Sequence, residues 1–575
     1  MVSVALAYSG SLAGPFVFDD IPAIVQNPTL RHPGDWVTLL FPPGAEAGSV
    51  GGRPLVNLSL AFNFAIGGLA VGGYHLVNLL IHAGATLLLF GFARRTLARQ
   101  PTGGATHPGA ADATAFAIAL LWAVHPVQTE AVTYVIQRAE SLMALWYLLA
   151  LYAFCRGVDS PLPRGWYALS WLACLLGMAT KEVMVTAPVM VLLYDRAFVA
   201  GSFRQAWVPR RAFYLGLAAT WIPLAGLVLS THGRGDSAGY GSGLGLYPWL
   251  LTQAQAVGHY LRIALWPSPL VFDFGPATVH EASVVIGRIV LIAVLGAGTA
   301  VACLRRPALG FLGAWFFVIL APSSSLVPIA TEPIAEHRLY LPLAAIVAAI
   351  VLGIARLLRP AASDSRQALF LAGIALLAAS LAAATWLRNA VYRSDLSLWS
   401  DTVAACPGNP RALNNLGTAL DALHRTGEAQ AAFRKAVALD PSYLPAQYDL
   451  GALLLDDAKP DEAIPHLEKA LGAPQHQREL RAYLADAYFA VGNTAAAARA
   501  YHRAAGAFAK AAEYAPDNAR IRANLGNALL FAGDLDEAIR QYQAAVGLDP
   551  ANPRLREMRD EALRYRASLP GKRSP

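Results

Sequence analysis

Two adjacent carboxylates follow the first apolar stretch of the chain, in the segment Phe16-Val17-Phe18-Asp19-Asp20-Ile21. Ionisable side chains directly beyond a membrane helix are costly beside lipid, and they are therefore candidates for function. Repulsion between two neighbouring carboxylates raises the pKa of one of them toward the range of a general base. Adjacent side chains seldom converge on one point, so the pattern predicts one catalytic residue, Asp19 or Asp20. An acidic N-cap for the next helix is the structural alternative.

Nine other ionisable residues stand near the ends of predicted membrane helices, on the same side as this pair. They are Arg53, His75, Glu130, Arg138, Glu140, Lys181, Glu182, Glu336 and Arg338. Helix capping, or a long side chain reaching to the membrane surface, explains any one of them. As a group they combine acids that can serve as a base with Arg, Lys and His side chains that suit a phosphate. This combination favours transfer from a lipid-phosphate donor.

The composition divides the chain into two parts. Of its 575 residues, 55% are hydrophobic and only 14% are charged, which excludes a single water-soluble domain. Residues 1–393 contain 24 basic and 16 acidic side chains, whereas residues 394–575 contain 21 and 22. The first part is predicted to lie in the membrane and the second to be soluble. The net charge of +7 comes from the membrane part and does not indicate nucleic-acid binding, and the four scattered cysteines form no disulfide or zinc pattern.

Eleven membrane spans are predicted in the first part. They are a thin N-terminal span at 2–13 and ten apolar stretches at 74–93, 113–126, 140–156, 166–180, 184–199, 212–231, 284–304, 308–328, 339–357 and 367–387. The stretch 247–266 contains His259 and Arg262 and is predicted to lie at the membrane interface. Basic loop residues, Arg359 among them, define a cytoplasmic side. The N-terminus is then inside, while the soluble part and twelve of the sixteen acids are outside.

The soluble part carries an internal repeat. Leu416-Gly417 recurs as Leu450-Gly451 after 34 residues, as Leu484-Ala485 after 34 more, and as Leu525-Gly526 after 41. The small residues, with an aromatic residue and a proline at fixed distances, match the tetratricopeptide pattern. We therefore predict a linker at 394–409, about four repeats at 410–552 with a seven-residue insertion in the third, and a capping helix and tail at 553–575. Such an array is a concave scaffold for a peptide or protein.

The polar motifs occur in an order that resembles a known family. They are Phe18-Asp19-Asp20, Asn27-Pro28, Arg53-Pro54, His75-Leu76-Val77-Asn78, His125-Pro126, Thr129-Glu130, Arg138-Ala139-Glu140, Lys181-Glu182 and Leu339-Tyr340-Leu341-Pro342. From about residue 8 to its end, the chain resembles the transmembrane, tetratricopeptide-repeat-containing O-mannosyltransferases, which have the GT-C fold of polyprenyl-phosphate-sugar glycosyltransferases. The resemblance implies an all-α protein, with a GT-C-like membrane domain at 1–393 followed by a tetratricopeptide solenoid.

The resemblance also implies an activity. A sugar, expected to be mannose, would be transferred from a polyprenyl-phosphate donor to Ser or Thr hydroxyls of an acceptor protein, with inversion of the anomeric carbon. The repeats would hold the acceptor protein. Asp19 and Asp20 would supply the base. By charge and side, the candidates for the donor phosphate are His75, Arg138, Lys181 and Arg338. The other candidates for this face of the site are Arg53, Glu130, Glu140, Glu182 and Glu336.

Several alternatives stay open at this stage. No metal ligand set is predicted and no cofactor is required, although Asp19 and Asp20 could hold a divalent ion through oxygen atoms. The lysine-poor, Ala- and Arg-rich composition indicates a bacterial inner-membrane protein with a periplasmic site, and a carrier shorter than dolichol. The rival functions are glycosylation of an envelope lipid or glycan by the same fold, a non-catalytic membrane scaffold, and a transporter.

Overall fold

A computed structural model describes residues 1–42, 49–99, 109–231, 245–276, 278–358, 363–472 and 477–569. Regular structure within these ranges is helical and includes no β-strand, which confirms the predicted all-α class. The chain divides into two units, Met1–Cys406 and Pro407–Pro575. The loop residue Arg359 and residues 570–575 of the predicted tail lie outside the described residues.

The first unit contains the helices of the apolar part and one helix beyond it. In chain order they are α1 Val2–Ala7, α2 Trp36–Leu40, α3 Pro54–Gly67, α4 Val71–Ala98, α5 Ala110–Ala123, α6 Gln128–Thr133, α7 Arg138–Asp159, α8 Pro163–Met178, α9 Ala187–Asp195, α10 Phe203–Ala219, α11 Trp221–Ser230, α12 Leu246–Leu265, α13 Ile286–Arg305, α14 Pro307–Ala321, α15 Leu343–Leu358, α16 Asp364–Asn389 and α17 Asp395–Ala405. Helix α17 occupies most of the segment that the sequence predicts to be a linker.

Seven helical segments of the described residues are long and apolar enough to cross a membrane. They are Val71–Ala98, Val135–Asp159, Glu182–Ala200, Phe203–Ser230, Ile286–Arg305, Pro307–Ser324 and Asp364–Arg393. The helices α3, α5 and α15 are also apolar but shorter. The protein is therefore an integral membrane protein, and eleven spans remain a prediction. Neither α8, at the predicted fifth span, nor α12, at the predicted interfacial stretch, is among these helices.

Close helix contacts in the membrane part occur at small residues. Helix α4 packs against α5 and α7, and α7 also packs against α8. A methyl group added at Gly91 of α4 would lie 2.8 Å from the Tyr152 ring of α7, and one added at Gly157 would lie 2.6 Å from the Tyr167 ring of α8. Small residues let membrane helices approach closely where no hydrophobic force drives them together. This packing holds α4, α7 and α8 together near the ends that carry Arg95 and Asp159.

The candidate polar residues lie at breaks between helices, several of which are set by proline. Helix α3 begins at Pro54, and α5 ends at Ala123, three residues before Pro126. Proline suits the first turn of a helix, and the residue before it avoids helical backbone. Lys181 is extended, with φ −158° and ψ 145°, between α8 and the 3₁₀ helix Glu182–Thr186. The breaks bring short polar segments together without interrupting a membrane helix at its centre.

The second unit is a stack of helical hairpins. Its helices are α18 Pro410–Asp421, α19 Thr426–Leu439, α20 Leu444–Asp456, α21 Pro460–Ala470, α22 Gln477–Ala497, α23 Tyr501–Tyr514, α24 Ala519–Ala532, α25 Leu535–Leu548 and α26 Pro553–Ser568. Successive helices from α18 to α25 pair as hairpins, and α26 packs on α25. Helix α22 has 21 residues, whereas α18, α20 and α24 have 12 to 14, so the extra length of the third hairpin lies in its first helix.

One glycine in each hairpin lies against a large side chain of the second helix. A methyl group at Gly417 would lie 2.5 Å from the Phe433 ring, and Gly451 and Gly526 make the same kind of contact. In the third hairpin this contact is made by Gly492, against Phe508. The sequence pattern predicts Ala485, seven residues earlier, at this position. The reason for the difference is that the added residues precede the contact, which shifts it along α22.

Candidate active site

The Asp20 carboxylate connects the first polar segment, residues 16–21, to the turn before α7. Its Oδ2 accepts a hydrogen bond from the Val17 N–H at 3.1 Å, and its Oδ1 accepts one from the Ile136 N–H at 2.7 Å. The residue is fully buried. Burial raises the pKa of Asp20 to about 8, and the backbone donors limit the rise. Because both oxygen atoms bind the backbone, this arrangement is a structural clamp.

Asp19 differs from its neighbour in exposure. It is half-buried, and its backbone N–H donates to the Tyr134 hydroxyl at 2.9 Å. Burial and the charges of the two aspartates raise the pKa of Tyr134 well above its usual range, so this hydroxyl stays protonated. A base that receives a proton from an incoming hydroxyl must be reachable. Of the two aspartates, Asp19 is the one that meets this requirement.

The backbone before Asp19 is strained. Phe18 has φ +48°, in the left-handed region that side chains other than glycine rarely adopt. Such a conformation costs on the order of 1–3 kcal/mol and persists only where surrounding contacts hold it. The strain lies directly beside the half-buried Asp19, and backbone strain of this kind is frequent at functional sites.

Two ion pairs join predicted site residues from three separate segments. Lys181 pairs with Glu140, and their side chains are 7% and 2% exposed. Arg53 lies 3.7 Å from Glu182. Burial lowers the pKa of Arg53 to about 10, and the charges of nearby carboxylates, Glu140 and Asp19 among them, oppose this effect. Because Asp19 and Glu140 both act on Arg53, and Glu140 pairs with Lys181, the tertiary structure places these cations and the half-buried Asp19 in one electrostatic neighbourhood.

A second buried pair joins residues 207 positions apart. The His337 Nδ1 lies 2.6 Å from the Glu130 Oε1, and the His337 N–H donates to the Glu130 Oε2 at 2.9 Å. Burial raises the pKa of Glu130 well above its usual range and lowers that of His337 to about 3. Both directions favour an uncharged pair. The charges of Lys181 and Glu140 also act on His337, which connects this pair to the one above.

Glu332 completes a group that could hold a metal ion. Ligand atoms of Glu130, Glu332 and His337 lie within 4.8 Å of one another. Carboxylate oxygens and an imidazole nitrogen form a donor set that suits several divalent ions. Burial raises the pKa of Glu332, and the charge of Glu130 adds to the rise. The metal site that the sequence suggests consists of Asp19 and Asp20 instead. Both carboxylate oxygens of Asp20 accept hydrogen bonds from the backbone, which makes that pair less suited to a metal ion.

Two of the predicted phosphate-binding residues are held in buried networks. Arg138 is fully buried and donates from Nε to Asn78 at 2.6 Å and from Nη1 to Asn63 at 2.7 Å. It also donates from Nη2 to the Tyr74 carbonyl at 3.0 Å. The Nε2 of His75 lies 3.0 Å from the Gly14 carbonyl. These contacts join α3, α4 and α7 beneath the first polar segment, and they favour a positioning role over direct contact with a donor.

The segment before α15 supplies the last two predicted residues. Arg338 is 4% exposed and donates to the carbonyls of Pro333, at 3.0 Å, and Glu332. The Glu336 Oε1 accepts from the Val271 N–H at 3.0 Å and lies 2.8 Å from the His259 Nε2. Arg338 therefore shapes its own loop, and Glu336 joins α12 to the segment that follows it. Glu336 still acts electrostatically on Glu130.

Sequence reasoning missed several residues of this neighbourhood. Tyr134, Glu332 and His337 carry no spacing signal of their own, because their partners are distant in the chain. The one available signal for His337 was its place between two predicted residues, Glu336 and Arg338. Trp399, which packs on Phe18, lies beyond the apolar part that contains all of the predicted site residues.

Comparison with known proteins gives matches to both parts of the chain. The tetratricopeptide repeat family models match residues 410–443 and 495–561. The chain is 29% identical over 517 residues to the protein O-mannosyl-transferase Tmtc3 of Drosophila melanogaster, covering 78% of this chain and 56% of that protein. It is 27% identical to Tmtc1 of the same species, with 77% and 61% covered. It is 25% identical to human TMTC4, with 72% and 62% covered.

The chain thus spans between half and two thirds of the length of these relatives. Among solved structures, a crystal structure of MamA matches 31% of this chain and 87% of its own at 22% identity, with a TM-score of 0.21. YrrB, described as a tetratricopeptide protein with an unusual peptide-binding site, matches 30% of this chain and 81% of its own at 20% identity, with a TM-score of 0.22.

Proposed function

We propose that this chain, which belongs to the family of transmembrane, tetratricopeptide-repeat-containing O-mannosyltransferases, transfers mannose to Ser or Thr hydroxyls of proteins. The donor is a polyprenyl-phosphate mannose, and the reaction inverts the anomeric carbon. The observation that carries the proposal is a half-buried carboxylate, Asp19, whose charge acts on the buried Arg53. Glu140, which pairs with the buried Lys181, acts on the same Arg53. The similarity to protein O-mannosyl-transferases supports the reaction class.

The proposed step needs one base and one stabilised leaving group. Asp19 takes the proton of the acceptor hydroxyl while the hydroxyl oxygen bonds to the anomeric carbon. The bond between that carbon and the phosphate oxygen breaks on the opposite face, and the polyprenyl phosphate leaves with the bonding electrons. Lys181 and Arg53 counter the charge that grows on this phosphate. Glu140 and Glu182 keep the two cations in place before the donor arrives.

The remaining predicted residues have supporting roles in this scheme. Asp20 clamps the segment that carries the base, and Arg138 and His75 hold the helices beneath it. Arg338 orders the loop that contains Glu332 and His337. The repeats hold the acceptor protein, and the site faces the periplasm of a bacterial inner membrane. If a divalent ion takes part, the group of Glu130, Glu332 and His337 is the place in the described residues with a suitable donor set.

The test compares the two aspartates in the full chain. We expect Asp19→Asn to lower sugar transfer at least about 10²-fold, as for the loss of a general base, without changing the melting temperature in detergent. Asp20→Asn removes the clamp, and we expect it to lower the melting temperature. Mass spectrometry of envelope proteins from cells with and without the gene measures the hexose on Ser and Thr.

Two outcomes would overturn the proposal. One is full hexose transfer by Asp19→Asn, which would remove the base. The other is an unchanged protein glycan pattern when the gene is deleted, with a hexose missing from an envelope lipid or polysaccharide instead. That second result would keep the fold and the chemistry but change the acceptor.

A further inference from the structure

We infer that Trp399, on the first helix beyond the membrane part, positions the segment that carries Asp19. Helix α17 is therefore a working part of the active site. The inference deepens the proposed function and rests on it for the identity of the base. It does not follow from the polar motifs that carry the resemblance, because Trp399 belongs to none of them.

The Trp399 side chain belongs to a buried aromatic cluster around Phe272. The residue is 3% exposed. Its ring centroid lies 5.4 Å from that of Phe18 and 5.5 Å from that of Phe272, both in edge-to-face geometry. Phe272 in turn lies 6.1 Å from Phe18, 5.1 Å from Tyr134 and 5.9 Å from Tyr392. The five rings connect four segments that are far apart in the chain.

Two members of the cluster hold Asp19 directly. Phe18 precedes it in the chain and has the strained φ of +48°. Tyr134 accepts the hydrogen bond of the Asp19 N–H at 2.9 Å. Such a backbone persists only where surrounding contacts keep it from relaxing. The rings of Trp399 and Phe272 contact the Phe18 ring and each other, so the position of the Asp19 carboxylate depends on α17.

Helix α17 is itself fixed to the membrane part. Arg388 of α16 donates to Asp401 at 2.5 Å. The Ser397 hydroxyl donates to the Val391 carbonyl at 2.8 Å, and Ser394 and Ser397 form a capping box at the start of the helix. These bonds leave α17 little freedom relative to the end of α16. Trp399 is thus presented by a rigid element, which positioning of a catalytic group requires.

The first experiment separates positioning from stability by comparing three variants of the full chain. We expect Trp399→Ala to lower kcat at least about 10-fold and to change KM for the acceptor less than about twofold, because a displaced base slows the chemical step. Trp399→Phe retains an aromatic ring, and we expect it to recover most of kcat. Trp386→Ala is the matched control: this indole lies near the end of α16, is 46% exposed, and is expected to leave kcat unchanged.

The second experiment does not depend on activity. Hydrogen exchange measured by mass spectrometry reports the protection of the Asp19 amide, which is hydrogen-bonded to Tyr134. We expect Trp399→Ala to lose at least about tenfold of this protection, and Trp386→Ala to keep it. The overall melting temperature in detergent shows whether each variant is folded.

The results separate this inference from the proposed function. If the unaltered chain transfers no sugar, the proposed function is wrong, and the exchange measurement still decides whether Trp399 holds the segment. If the chain is active and Trp399→Ala keeps both full kcat and a protected Asp19 amide, the inference is wrong. If Trp399→Ala does not fold, Trp399→Phe carries the test, and a loss of kcat in that variant equal to the loss in Asp19→Asn would contradict a role for ring packing.

Discussion

The two ends of the membrane helices hold their charges in different ways. Near the end of α4, Arg94 pairs with Asp112 and Arg95 with Asp159, and these side chains are 30–56% exposed. At the opposite end of the unit, the Lys181–Glu140 pair is 7% and 2% exposed. Exposed pairs contribute about 0–1 kcal/mol, whereas a buried pair must first overcome the loss of hydration of both ions. A fold keeps such a pair where the charges have a further task.

The Asp195–Arg210 pair, at the same end of the helices as Arg94, is intermediate in burial, with side chains 0% and 19% exposed. The Asp195 carboxylate is buried and accepts hydrogen bonds from Arg210 at 2.8 Å and from Tyr214 at 2.6 Å. Each oxygen of this carboxylate has a partner on α10. A structural link between α9 and α10 is therefore a sufficient explanation for this pair. At the other end, the buried charges of Arg53, Glu140 and Lys181 come from three separate segments, and the half-buried Asp19 acts electrostatically on Arg53. Helix packing alone does not require this arrangement.

Variants of the Lys181–Glu140 pair give the strongest test of the difference between the two ends of the helices. We expect Lys181→Met to destabilise the protein by about 3–5 kcal/mol, because Glu140 is left as an unpaired buried charge. Adding Glu140→Gln to this variant should restore most of the stability, since no unpaired charge remains. Sugar transfer should stay lost in the double variant because the cation for the donor phosphate is absent.

Thermal unfolding in detergent and the hexose assay measure the two properties in the same preparations. A double variant that transfers sugar at the normal rate would show that Lys181 serves stability only. The buried pair would then be equivalent to the Asp195–Arg210 link.

A smaller effect concerns the pH dependence of stability. Asp20 has its pKa raised from 3.8 to about 8 in the folded protein, so the native state binds a proton that the unfolded state releases. Its contribution to stability is therefore lost as the pH rises through the window from about 4 to about 8. We expect the difference in melting temperature between the normal chain and Asp20→Asn to shift against the normal chain as the pH rises across this window.

The control for this measurement removes a carboxylate from the exposed end. Asp112→Asn breaks the pair with Arg94, whose side chain is 56% exposed. A difference in melting temperature for Asp20→Asn that does not change between pH 5 and 8 would contradict a buried, proton-binding clamp.

The smallest effect is expected at the exposed pair itself. A double-mutant cycle with Arg94→Ala and Asp112→Ala should give a coupling energy below about 1 kcal/mol. Sugar transfer should remain normal in all three variants. A larger coupling, or a fall in transfer, would mean that the two ends of the helices do not divide structure from chemistry as the comparison suggests.

Much of the architecture follows from local patterns in the sequence. Apolar stretches predict most of the membrane helices, because hydropathy alone decides whether a helix tolerates lipid. The repeat spacing predicts the helical hairpins, because each repeat contacts only its neighbours. Even here, the contact at Gly492 in place of Ala485 was decided by where the added residues enter the helix.

The roles of single polar residues did not follow from the sequence. Asp19 and Asp20 are chemically identical there, and it is the structure that distinguishes them, through the burial of Asp20 and its hydrogen bonds from the N–H groups of Val17 and Ile136. Arg138 is a predicted phosphate ligand on sequence grounds, and only the structure shows that it donates to Asn63 of α3 and Asn78 of α4.

The sequence by itself therefore determined the all-α class, the division into a membrane part and a repeat part, and the set of charged residues from which a site could be built. Only the tertiary structure decided which aspartate is reachable, which cations are paired, and that Trp399 reaches the Asp19 segment. The physical reason is the distance along the chain over which each effect acts. Hydropathy and repeat period act over one helix, whereas burial, ion pairing and ring packing depend on residues such as Glu130 and His337, 207 positions apart.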